Sequence, residues 1–180
     1  MKRILAAAVI AAALSFGATA RAEVVNFEGD STGGVADGFS SAGHPDLLLF
    51  GAIPNMLMVL NTGDGETDGN SLLVFDDTNS NFLVGVFTSP HTQLSMTFGN
   101  DDPFFTIDSD LAKLQVFLGG GFVGESTVLL NRNDLMDQTI SFSGGPFDMF
   151  SFAYTNAAGA PITGPGSIGT GLIEVVDNIT

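Results

Sequence analysis

Apolar and polar residues alternate along most of this chain. Between 111 and 118, Ala112, Leu114, Val116 and Leu118 fall at every second position, with Lys113, Gln115 and Phe117 between them. That period of two is the period of a strand, not of a helix. Gly119-Gly120-Gly121 then breaks the run, and Phe122, Val123, Val128, Leu129 and Leu130 supply an apolar return. Glycine takes positive φ without steric penalty, so 111–130 is predicted to be a hairpin with its reversal at the glycines. A hairpin is not stable alone, and other strands must cover its apolar face. They are predicted at 24–28, 46–50, 55–60, 71–76, 82–87, 93–98, 139–142, 149–154 and 172–179. In 93–98, Leu94, Met96 and Phe98 alternate with Gln93, Ser95 and Thr97; in 149–154, Phe150, Phe152 and Tyr154 share a face. Pro54 separates two short apolar runs, and Gly144-Gly145-Pro146 reads as a turn between two strands. Around ten short strands with turn signals between them, and no helical period after the first residues, predict an all-β sandwich. No internal repeat points to a propeller or solenoid.

The first 22 residues are patterned differently. Lys2 and Arg3 precede an apolar run, Ile4 to Leu14, and small residues follow, with Ala18-Thr19-Ala20 or Ala20-Arg21-Ala22 as the cleavage tripeptide. This is the pattern of a secretory signal, and the run is shorter than the roughly 20 residues of a spanning helix. The expected organisation is a signal peptide over 1–22 and one β-sandwich domain over 23–180, with no membrane insertion after cleavage and a secreted, extracellular or cell-surface location.

Removing the leader leaves Lys113 and Arg132 as the basic residues against all 20 acidic ones, a net charge of about −18. Such a charge excludes nucleic acid and anionic membrane surfaces as partners, and suits a medium rich in salt or divalent ions. The chain has no Cys, so neither disulfides nor thiolate chemistry is available. It has 16 Phe, one Tyr and no Trp, and 23 Gly. That apolar content is too high for a disordered chain.

Several stretches together resemble a known class. Val25-Asn26-Phe27-Glu28, Gln93-Leu94-Ser95-Met96-Thr97-Phe98-Gly99, the strand 114–117 followed by Gly-Gly-Gly-Phe-Val-Gly, Gln138-Thr139-Ile140-Ser141-Phe142-Ser143-Gly144 and Gly171-Leu172-Ile173-Glu174-Val175-Val176-Asp177-Asn178-Ile179 carry the likeness. They resemble secreted bacterial jelly-roll domains, among them exported proteins of the PEP-CTERM type and galactose-binding-like sandwiches. The resemblance spans nearly all of the chain after the leader, as a rhythm of segments more than a motif. It departs at the C-terminus, where no Pro-Glu-Pro motif, apolar helix or basic tail precedes Thr180, so membrane sorting is not expected. The resemblance implies a jelly-roll-like antiparallel β-sandwich whose first and last strands lie together. It also implies a structural calcium beside them, held by an early Glu and a late Asp, here Glu28 and Asp177.

The residues themselves bear on the same site. Asp177 shares a face with Ile173, Val175 and Ile179, where a carboxylate is costly unless paired or bound to a metal. Calcium gathers carboxylates and carbonyls, and Glu28, Asp30 and Asp177 offer them. A second candidate is the loop Asp64-Gly65-Glu66-Thr67-Asp68-Gly69-Asn70, in which Asp64, Glu66, Asp68 and Asn70 carry oxygens at alternate positions with Gly sixth. That spacing matches the front of a calcium loop, but Phe75 stands where an EF-hand has its bidentate Glu, and no helix precedes it. The alternative is an ordinary acidic surface loop. Asp101-Asp102 and Asp108/Asp110 are lesser versions of the same idea. His44 and His91 adjoin prolines and read as surface-loop residues.

No Gly-x-Ser-x-Gly elbow is present, and without Trp a sugar-cleaving cleft is poorly supplied. The expected protein is therefore not an enzyme. It is a calcium-stabilised structural or assembly module of an extracellular matrix, surface layer or filament, with other copies of itself or matrix proteins as partners. The alternative is a calcium-dependent carbohydrate-binding module for a surface or matrix glycan, using loop Asp and Asn side chains and an aromatic such as Tyr154.

Overall fold

The computed structural model describes residues 23–51, 54–63, 65, 67–74, 82–99, 101, 103–162 and 174–180. The predicted leader, Asp64 and Glu66 lie outside them. The described residues form nine strands: β1 (Gly33–Val35), β2 (Leu47–Gly51), β3 (Leu57–Leu60), β4 (Ser71–Val74), β5 (Leu83–Gly99), β6 (Leu111–Leu118), β7 (Gly121–Leu129), β8 (Gln138–Thr155) and β9 (Glu174–Asp177). All pairings are antiparallel, and among the described residues there is no helix.

The predicted hairpin forms as β6 and β7. Leu118 pairs with Gly121, leaving Gly119 and Gly120 as a two-residue turn at φ 54° and 82°. Positive φ at both central positions suits the strand twist, so the glycines are required there. Ala112, Leu114 and Val116 are fully buried, whereas Leu118 at the turn is exposed.

Two expectations about punctuation fail for one reason. The runs 82–87 and 93–98 are not separate strands but the two halves of β5, 17 residues long. Likewise 139–142 and 149–154 belong to the 18-residue β8, through Gly144-Gly145-Pro146. The two pair along both halves, Leu83–Val86 with Met149–Phe152 and Gln93–Phe98 with Gln138–Ser143. Their register shifts between Val86 and Gln93. Straight strands of this length would span roughly 55–60 Å, more than a domain of this size is wide. The Gly and Pro residues therefore bend the pair without ending it, and carry both strands from one layer into the other.

One layer runs β1-β3-β4-β9 and continues into the C-terminal half of β5 and the N-terminal half of β8. The other holds β2, the remaining halves of β5 and β8, then β6 and β7. The shared core joins Leu49, Leu72, Leu83, Met96, Phe98, Leu114, Phe150, Phe152 and Tyr154. The fold is an all-β, jelly-roll-like antiparallel sandwich. Gly85 faces Phe150 across the β5–β8 pair, and a Cβ there would fall 2.0 Å from the Phe150 ring. That close approach lets an aromatic lie flat over the sheet.

The first and last described segments meet. Val25 and Ile179 exchange both backbone hydrogen bonds, at 2.8 and 3.0 Å, and Ser95 and Thr180 do the same beside them. The strand expected at 24–28 is reduced to this one bridge, because Phe27 turns into the left-handed region at φ 51° with its ring fully buried. β9 stops at Asp177 for a similar reason: Asn178 sits at φ 50°.

Candidate functional site

Two clusters of side chains lie on either side of this junction. The first gathers predicted calcium ligands. Turning at Phe27 aims the Glu28 carboxylate at the loop before β4, where its Oε1 accepts the Asn70 backbone N–H at 3.0 Å. Gly69 makes this approach possible: at φ 68° it lacks the Cβ that would sit 1.8 Å from Glu28 Oε1. The Asn70 amide donates to the Asp30 carbonyl at 3.0 Å, tying the same two segments again. Asp177, at the end of β9, is 2% exposed, and its Oδ1 has no hydrogen-bond partner among the described residues; Oδ2 accepts from the Asn178 amide at 3.3 Å. The Asp177 pKa is raised to about 7, first by burial, with the negative fields of Asp68 and Glu28 adding to it.

Asp177 thus lies in the negative field of Glu28 and Asp68, although among the described residues these three do not bring ligating atoms within 4.8 Å of one another. Neither basic residue of the domain relieves them, since Lys113 pairs with Glu125 at 3.2 Å and Arg132 pairs with Asp108. The Glu28 and Asp68 carboxylates are exposed, whereas Asp177 Oδ1 is buried without a hydrogen-bond partner among the described residues, which is costly for a charged oxygen. Asp30, expected in the same shell, is engaged elsewhere. Its Oδ2 accepts the Ser41 hydroxyl at 2.5 Å and its Oδ1 the Ala42 N–H at 3.0 Å, so the carboxylate clamps the following loop.

Of the lesser acidic candidates, Asp102 lies outside the described residues, and Asp101, Asp108 and Asp110 have structural duties. Asp101 is fully buried and accepts three consecutive backbone N–H groups, those of Arg132, Asn133 and Asp134, at 2.5–3.2 Å. Asp110 accepts the Ile107 N–H at 2.8 Å. Tyr154, considered as a sugar platform, cannot serve: its ring is fully buried, its hydroxyl donates to the Gly99 carbonyl, and burial pushes its pKa well above the usual value.

The second cluster was not legible in the sequence. Where β5 and β8 change layers, the sandwich opens into a cavity of about 600 Å³. Phe87, Leu94 and Phe142 give it apolar walls, and His44, His91, Gln93, Ser95 and Ser141 bring polar groups to it. His91 lies within β5, not in a loop, and its ring rests against Phe87 with centroids 4.2 Å apart. At one side, Glu23, His44 and Asp46 bring one ligating atom each to within 4.8 Å of one another, a group able to coordinate a metal ion. Sequence patterning missed this because the three sit in short loops. The topology, through the junction of the ends, is what makes Glu23 a neighbour of 44–46.

No protein-family model matches the chain, and no curated protein does. Among solved structures it is similar to the K2 cleaved adhesin domain of Lys-gingipain (Kgp), at 14% identity over 87% of this chain and 96% of that one, with a TM-score of 0.47. It is also similar to CBM35 from Paenibacillus barcinonensis, at 13% identity over 83% and 96% of the two chains, TM-score 0.37. A third is the CBM51-2 and INT domains of Clostridium perfringens ZmpB in complex with GlcNAc, at 9% identity over 87% and 32%, TM-score 0.32. Likeness at this level carries no argument about ligand or site.

Proposed function

We propose that this chain is a secreted, calcium-stabilised binding module that takes a glycan into the cavity at the β5–β8 bend. The observation that carries the proposal is the make-up of that cavity. Its volume, about 600 Å³, is of the size that holds a small ligand, and it sets hydroxyl, amide and imidazole groups beside aromatic faces. A sugar has the complementary surface, with apolar C–H faces to lie on Phe87 or Phe142 and hydroxyls to exchange hydrogen bonds with His91, Gln93, Ser95 and Ser141. In this proposal Glu28, Asp68, Asn70 and Asp177 hold a calcium that pins the chain ends and keeps the cavity's frame in place. Asp64 and Glu66 remain part of the proposed acidic loop. The direct test is a glycan array probed with the calcium-loaded protein, followed by calorimetry of any hit with Phe142→Ala and Gln93→Ala. Binding by the parent protein that weakens in both variants supports the proposal; silence across the array, or hits indifferent to both changes, removes it.

One observation favours a second use, as an assembly module that packs against copies of itself or matrix proteins. β7 stands at the end of the strand order, and it presents Phe122 and Leu129 at 59% and 56% exposure, with Leu118 exposed at the turn. An open edge with apolar side chains is a template for strand addition. Electron microscopy and light scattering with and without calcium test this, and monodisperse monomer in both conditions rejects it.

A further inference from the structure

We infer that Glu23, His44 and Asp46 form a second metal site, distinct from the carboxylate cluster at Asp177 and suited to a borderline cation of the Zn²⁺ class rather than to Ca²⁺. The first support is geometric. His44 Nδ1 and Glu23 Oε1 are 3.3 Å apart, and an Asp46 carboxylate oxygen completes a triangle in which no edge exceeds 4.8 Å. Zinc–nitrogen and zinc–oxygen bonds of about 2.0–2.2 Å place neighbouring ligands of a tetrahedron about 3.3–3.6 Å apart, so the His44–Glu23 edge is already at that span and Asp46 closes in from no more than 4.8 Å.

The second support is the state of the imidazole. His44 Nδ1 is buried and, among the described residues, makes no well-directed hydrogen bond, its polar neighbour being the Glu23 carboxylate at 3.3 Å. The imidazole is also the decisive ligand chemically. Calcium takes oxygen almost exclusively, whereas imidazole with carboxylates favours zinc and its neighbours in the first row.

The third support is preorganisation. The Ser40 hydroxyl donates to the His44 carbonyl at 2.7 Å, the His44 N–H donates to the Ser41 carbonyl at 3.0 Å, and the Thr88 N–H donates to the Asp46 carbonyl at 2.8 Å. Both loop ligands therefore sit on a backbone already fixed, and Glu23 is held near them by the Val25–Ile179 bridge two residues on. All three side chains line the cavity, so a metal with three protein ligands keeps a further position for a ligand oxygen from that side. The site stands whether or not the cavity takes a glycan.

Calorimetry of the chelator-stripped full chain with Zn²⁺, in the presence of excess Ca²⁺, tests it. The expected result is one equivalent of Zn²⁺ bound at micromolar affinity or tighter, reduced at least tenfold in His44→Gln and in Asp46→Asn. Those variants should keep the parent's calcium-induced rise in melting temperature, which shows that they are folded. Co²⁺ in place of Zn²⁺ should give the visible absorption of tetrahedral nitrogen and oxygen ligation in the parent and lose it in His44→Gln. Zn²⁺ binding unchanged by both substitutions, displacement of Zn²⁺ by millimolar Ca²⁺, or no Zn²⁺ binding at all overturns the inference. Glycan binding is read separately: its loss leaves the metal result standing, and loss of metal binding alone leaves the glycan proposal standing.

Discussion

Replacing Asp177 by Asn keeps the shape of the side chain and removes its charge, and the proposed calcium site predicts that the sign of the effect depends on the cation. Without calcium, the parent protein holds a carboxylate with almost no accessible surface and one unpartnered oxygen beside Glu28 and Asp68. Its pKa is displaced from 3.8 to about 7. At about 1.4 kcal/mol per pH unit the displacement caps the cost of ionisation near 4 kcal/mol. The neighbouring Glu28 and Asp68 carboxylates are exposed, so solvent screening brings the expected figure to roughly 1–2 kcal/mol. Asp177→Asn should therefore raise the calcium-free melting temperature by about 2–8 °C at pH 8, at roughly 2–4 °C per kcal/mol for a chain of this length. With calcium at 100 times its dissociation constant, the parent gains about 2.7 kcal/mol, or roughly 5–10 °C, and the variant loses most of that gain. Differential scanning calorimetry at pH 8, with chelator and with calcium, gives all four numbers. A variant less stable than the parent in chelator, or one that keeps the full calcium shift, would refute the reasoning.

Further outcomes follow from the same geometry. Gly69→Ala puts a methyl group into the Glu28 carboxylate at a positive φ, and should weaken calcium binding at least tenfold by calorimetry while Gly120→Ala, at a turn with open space, leaves it intact. In chelator, the raised Asp177 pKa means the native state holds its proton more tightly than the unfolded chain. Stability from this group is then complete below about pH 4 and lost as pH rises through about 7, a slope that saturating calcium should abolish in pH-resolved melting curves. Gly85→Ala drives a methyl group against the Phe150 ring and should cost about 1–3 kcal/mol in urea unfolding, with Phe150→Leu in the same chain recovering part of it. Asp101→Asn exchanges a carboxylate that accepts three backbone N–H groups for a weaker acceptor, and should lower stability by about 1–3 kcal/mol in the same assay without altering calcium binding.

The sequence was most informative where a local rule decides the structure. Alternation at 112–118 and two glycines after Leu118 are enough to specify β6, the turn and β7, because hairpin register depends on the turn itself. Phe150, Phe152 and Tyr154 likewise share the buried face that their spacing predicts. Gly144-Gly145-Pro146 misled because the same residues that end a strand also bend one, and only pairing with β5 distinguishes the two. Asp177 stood out as a charge in an apolar strand, and its proximity to Glu28 and Asp68 followed once the ends of the chain met. Asp30 did not join them, because Ser41 and Ala42, 11 and 12 residues away, compete for its carboxylate. His44 and His91 gave no pattern at all. Their setting is made by the bend in β5 and by the N-terminal segment crossing beside it, which are tertiary facts without a local signal.

The spare acidity of this sandwich is proposed to be organised around a cation, and crystals grown in calcium test that most directly. Anomalous diffraction should place a calcium peak about 2.3–2.6 Å from Asp177 Oδ1 and from a Glu28 oxygen, with Asp68 or Asn70 in the same shell. A water in that position, or carboxylates turned apart into solvent, would contradict it.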